Sequence, residues 1–233
     1  MTLRDSATRI ARAGMVITVL ALAGLAAVYV RALHYTPVEV NQGAAQKIFY
    51  VHVPAAWSAL LAISITGLLS ILYLWLKDRR IDLAAAASAE VGVAFACVML
   101  TTGPIWGKPI WGTWWTWDAR LTSTLFLFLL FVGYLVLRGV LVDPGIRGRL
   151  SAVIGIMGMM LVPFIHLTVY MFRTLHPAPI VLKPSAPSLP GVMLVTLMSS
   201  LGVFTLLYIG FVMQRYALGL LREAREEELA HAS

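Results

Sequence analysis

Residues 106–141 read WGKPIWGTWWTWDARLTSTLFLFLLFVGYLVLRGVL, and the two halves of this stretch differ in chemistry. From Leu121 to Leu141 one ionised side chain, Arg138, interrupts a run of Leu, Phe and Val. As a helix such a run is about 30 Å long, the thickness of the hydrocarbon core of a bilayer. In lipid the backbone must satisfy its own hydrogen bonds, so the run predicts a transmembrane helix. The other half holds five of the seven Trp of the chain, at 106, 111, 114, 115 and 117. An interfacial belt needs one or two indoles per helix end, whereas a cluster of five suits a large flat apolar ligand held by stacking.

Further apolar runs lie on both sides. Helices are expected at approximately 13–33, 53–76, 83–104, 121–141, 150–171 and 192–213. The fold class is therefore an all-α integral membrane protein, one six-helix domain over 1–233 with a short Trp-rich interfacial segment between helices three and four. Pro54 fits the first turn of the second helix, where its missing N–H costs nothing. With 60% hydrophobic and 12% charged residues and a mean hydropathy of +0.84, the composition lies far from soluble averages. The net charge of +7 would suggest nucleic acid in a soluble chain, but the basic residues cluster in short loops beside the apolar runs. Six spans put both termini on one side. Of the 18 Lys and Arg, the segments on the side of the termini hold twelve and the alternate segments six. That asymmetry predicts a multi-pass protein with both termini on the cytoplasmic side.

On helical spacing, Trp111, Trp114, Trp115 and Asp118 share one face, three indoles and a carboxylate. Two histidines from separate outer segments accompany them: His52 at the entry to the second span and His176 at the start of a Pro-rich connection over 173–191. Two imidazoles and an aromatic shelf on one side of a membrane suit an iron porphyrin ligated on both faces. Taken singly, each His reads as an interface residue with an ordinary hydrogen bond. Propionates would need cations. Lys108 and Arg120 flank the shelf, and Arg173 and Lys183 are further candidates. Asp118 either pairs with Arg120 or holds an indole N–H. His166 and Glu90 lie inside spans and are open to structural or functional readings. His34 and His231 carry no pattern. The lone Cys97 excludes a thiolate metal cluster, and no nucleophile constellation, acid–base pair or phosphate loop appears.

The Trp-rich motif, with IFYVHVPAAW around His52 and RTLHP around His176, resembles the haem exporter protein C family, the C component of the bacterial cytochrome c maturation system and a bearer of the Trp-Trp-Asp (WWD) signature. The resemblance covers all six spans in order. It implies haem handling in c-type cytochrome biogenesis: haem b, bound as transferred cargo at the outer face of the cytoplasmic membrane, passes to a periplasmic haem chaperone. His52 and His176 map onto the axial ligands of the haem iron, and Trp106, Trp111, Trp114, Trp115, Trp117 and Asp118 onto the platform. The implied partners are the membrane-anchored chaperone (E component), the subunits of an ABC transporter and a small single-span D subunit. The implied role is haem transport, and not that of an enzyme. The alternative is a haem-containing, quinone-linked electron-transfer subunit. That reading needs His pairs facing each other inside the bundle, whereas only His166 is intramembrane.

Overall fold

The computed structural model describes residues 2–181, 183 and 185–232; the side chain of His231 lies outside that description. Six long helices follow in order: α1 (Leu3–Val30), α2 (Phe49–Leu76), α3 (Arg79–Trp111), α4 (Ala119–Val140), α5 (Pro144–Met171) and α6 (Gly191–Ala232). All six are apolar and long enough to span a bilayer, as the length of the apolar runs predicts. A π turn over Arg31–Tyr35 ends α1, and a 3-10 turn over Ala44–Ile48 leads into α2.

Most helices run past the expected ends, because their caps lie outside the apolar runs. Thr2 and Asp5 close a reciprocal capping box on α1. Asp78 caps α3 through the Arg80 N–H at 2.8 Å. Asp143 caps α5 through the Ile146 N–H at 2.6 Å, with Pro144 just behind it. Pro54 sits deeper than expected, since α2 already begins at Phe49. A proline leaves the carbonyl four residues earlier without its helical donor. Here that is the carbonyl of buried Tyr50, and it accepts instead from the Ser200 hydroxyl of α6 at 2.6 Å.

Helix α2 is the centre of the bundle. Its Ala55, Ala59 and Ala62 recur on one face and let Val91, Phe95 and Met99 of α3 and Phe204, Leu207 and Tyr208 of α6 approach closely. Small residues at such seams are the usual basis of helix association in lipid, where packing rather than water exclusion supplies the attraction. On the other flank Ile63 joins Leu127, Phe131 and Tyr134 of α4 and Ile165 of α5. Helix α1 lies against α6, tied by the Gln214 amide donating to the Thr18 hydroxyl at 2.7 Å. Both termini and the α2–α3 and α4–α5 links therefore share one face of the bundle, and the three longer connections share the other.

Candidate functional site

The expected single helical face of Trp111, Trp114, Trp115 and Asp118 does not form. Helix α3 stops at Gly112, whose φ of +75° is a left-handed conformation that suits glycine, and its N–H still bonds the Lys108 carbonyl at 3.0 Å. Past it, aromatic and β-branched residues of low helix propensity fill 113–117, and Asp118 is an N-cap rather than a helical residue. Trp106 and Trp111 therefore belong to α3, whereas Trp114, Trp115 and Trp117 lie on the non-helical connector 112–118. Trp114 and Trp117 are exposed at 58% and 76%, while Trp115 is half-buried and meets Trp117 edge-on at 5.9 Å. The shelf is a helix end plus a strap.

Asp118 holds that strap. One carboxylate oxygen accepts the Arg120 and Leu121 N–H groups, each at 3.0 Å, and the other accepts the Thr116 hydroxyl at 3.0 Å. Burial alone would raise its carboxyl. The Leu121 N–H and Thr116 hydroxyl, followed by Thr174 and the Leu175 N–H from the connection after α5, outweigh burial and hold it below the usual carboxylate range. The side chain therefore ties the strap to the start of α4. Its bond to Arg120 is to the backbone, and the two side chains do not form an ion pair.

The two histidines come to the same rim with the same nitrogen engaged. Nδ1 of His52 lies 3.1 Å from the Thr102 hydroxyl oxygen. That hydroxyl also lies 2.7 Å from the Val98 carbonyl, and with its proton on that shorter bond Nδ1 of the neutral ring is the donor. Nδ1 of His176 faces the Pro177 carbonyl at 3.2 Å, an acceptor only, so it donates too. In both neutral rings Nε2 then keeps its lone pair, the form in which imidazole ligates a metal. Burial first, then the Arg120 cation, lowers the His176 imidazole to about 4, so it is neutral at physiological pH. Each ring also meets a tryptophan of α3: His52 lies 5.7 Å from Trp106 and His176 6.4 Å from Trp111, centroid to centroid. A Cβ on Gly103 would come within 3.0 Å of Cε1 of His52, so α3 presses its bare backbone against that ring.

The four candidate cations separate by what they already hold. The Lys108 ammonium donates to the Gly112 carbonyl at 2.9 Å, closing the end of α3, and Lys183 donates to the Ser188 hydroxyl. Arg173 is exposed. Arg120 is half-buried, and its Nη1 is buried with no acceptor among the described residues, as is Nε1 of Trp115. Its charge acts on His52, His166 and His176 alike. A porphyrin with carboxylate arms fits this donor set, since it offers acceptors for the orphaned guanidinium and two faces for the bare Nε2 atoms. Sequence reasoning passed over Thr102, Gly103, Thr174 and Gln42, whose amide oxygen accepts the Trp106 indole N–H at 3.1 Å. Only the adjacent polar pair Thr101-Thr102 near the end of an apolar run hinted at the first of them. His34 lies apart, in the turn after α1, and Glu90 pairs with Arg215 at the other end of the bundle.

A family profile described as Heme exporter protein C matches residues 3–231. The Heme exporter protein C of Haemophilus influenzae is 38% identical over 192 residues, 82% of this chain and 78% of that protein. That of Bradyrhizobium diazoefficiens is 38% identical over 173 residues, 74% of this chain and 66% of that protein. That of Escherichia coli K12 is 41% identical over 143 residues, 61% of this chain and 58% of that protein. The matched parts thus span a little less than two thirds of the last two relatives.

Proposed function

We propose that this chain, which belongs to the heme exporter protein C family, handles haem for cytochrome c maturation and presents it at the membrane face opposite its termini. That face is the outer one of the cytoplasmic membrane by the distribution of basic residues. The cargo is haem b, received and passed on to the membrane-anchored haem chaperone (E component), with the ABC transporter subunits and the single-span D subunit as further partners. Nε2 of His52 and of His176 ligate the two faces of the iron. Trp106, Trp111, Trp114, Trp115 and Trp117 supply stacking area, and Asp118 holds their strap in register. Nη1 of Arg120 takes one propionate, and Lys108, once released from the Gly112 carbonyl, the other. The role is one of binding, orienting and releasing cargo rather than of catalysis.

The observation that supports this most is that His52 and His176 each engage Nδ1 and leave Nε2 without a hydrogen-bond partner among the described residues, at one aromatic rim. In the test, the full chain is purified with haem and its absorption spectrum is compared with those of His52→Ala, His176→Ala and His166→Ala. Each of the first two should lose the six-coordinate spectrum and regain it with added imidazole, which refills a vacated axial position but cannot repair a folding defect. His166→Ala should leave the spectrum unchanged. Loss of the spectrum in His166→Ala, with either other His dispensable, would move the ligand into the bundle and sink this assignment.

A further inference from the structure

The opposite end of the molecule, where both termini lie, holds a cavity of about 620 Å³ that the haem reading does not use. Helix α4 leans on α5 and α6 leans on α1, so the cavity opens between them over α3. Five arginines, Arg79, Arg138, Arg147, Arg215 and Arg222, and three glutamates, Glu90, Glu223 and Glu226, line it. Three of the arginines are answered by carboxylates. Arg138 makes two bonds to Asp82 at 2.6 and 2.9 Å, Arg79 pairs with Glu223, and Arg215 pairs with Glu90. Arg147 and Arg222 have no ion-pair partner among the described residues. Buried Nε of Arg147 also lacks a hydrogen-bond acceptor there, whereas Nη1 of Arg79 lies 3.6 Å from an Asp82 oxygen.

An apolar stripe lies one turn inside the rim, with the Arg215–Glu90 pair deeper still. Each of three helices carries an arginine at the rim and a leucine about one turn deeper: Arg79 and Leu83 on α3, Arg138 and Leu135 on α4, Arg222 and Leu218 on α6. The two unanswered arginines, Arg147 and Arg222, beside a leucine stripe at the boundary where α3 begins and α4 ends match an amphiphile with its anion outward. We infer that this cavity binds the phosphate headgroup of an anionic phospholipid, with the start of an acyl chain along Leu83, Leu135 and Leu218. Basic pockets between spans on the cytoplasmic side are suited to such headgroups, and the volume falls in the usual range for small-molecule sites, about 300–1,000 Å³. A soluble phosphate would satisfy the arginines but leave the leucine wall unused.

The experiment places the full chain in phosphatidylcholine nanodiscs with and without phosphatidylglycerol, and reads retained lipid by native mass spectrometry and the midpoint of thermal denaturation. Phosphatidylglycerol should be retained and raise the midpoint, and inorganic phosphate should do neither. Arg147→Gln with Arg222→Gln should weaken retention by about thirtyfold. Arg4→Gln with Arg9→Gln, which removes the same charge from exposed positions outside the cavity, should keep it. Leu135→Trp, which fills the apolar wall with every arginine intact, should also expel the lipid. Undiminished retention in both the Arg147/Arg222 and the Leu135 variants overturns the site. Equal loss in the Arg4/Arg9 variant overturns it in favour of general surface charge, and an equal midpoint rise with phosphate alone overturns the lipid as its occupant.

Discussion

At the scale of single residues, Thr102 decides what His52 can do. With its proton on the shorter bond to the Val98 carbonyl at 2.7 Å, the ring bonded to it at 3.1 Å has one tautomer available. Thr102→Val keeps the shape and removes the acceptor, and haem affinity in a spectroscopic titration should fall about ten- to a hundredfold with His52 still in place. Thr102→Ser should restore it. Wild-type binding by Thr102→Val would mean that the ring is positioned by Gly103 and Trp106 alone. The histidines stood out in the sequence by type, since few side chains here can ligate a metal. Thr102 did not, because the choice between Thr101 and Thr102 depends on the rotation of α3 against α2, which no local pattern encodes.

At the scale of elements, the exchange between Pro54 and Ser200 shows how a helix defect is repaired from outside. Pro54 removes the donor that Tyr50 would have had, and α6 supplies another at 2.6 Å. Ser200→Ala should cost about 1–3 kcal/mol, because it leaves a buried carbonyl unpaired. In a Pro54→Ala background the same change should cost less, since residue 54 then donates within α2. Thermal denaturation of the four proteins of this double-mutant cycle in detergent measures the coupling, and strict additivity would show that Ser200 does not repair α2. The six helices were legible because each apolar run is long. Their ends were not, because α3 continues through Pro104 and Pro109 to Trp111 while the connector after it, although spaced like a helix, is not one. A period of 3.6 says which residues would share a face if a helix formed. It does not say that Gly112 ends the helix first.

At the scale of the whole molecule, the division of charge sets the orientation. Reporter fusions after Lys77, Gly145 and Arg225 should read as cytoplasmic, and those near Gly43, Lys108 and Pro187 as external. External labelling at Gly145 together with cytoplasmic labelling at Pro187 would invert the chain and put the tryptophan rim on the wrong side for a periplasmic acceptor. The links are as asymmetric as the charge. On the face of the termini, α2 passes to α3 through Lys77 and Asp78 alone, and α4 to α5 through residues 141–143. On the other face the connections run over 36–48, 112–118 and 172–190. The helix pairs are thus clamped at one end like the blades of a pair of tweezers, and slack is available only at the tips. A bulky planar guest can enter or leave by displacing loops, while the short links keep α2 with α3 and α4 with α5 at the opposite end.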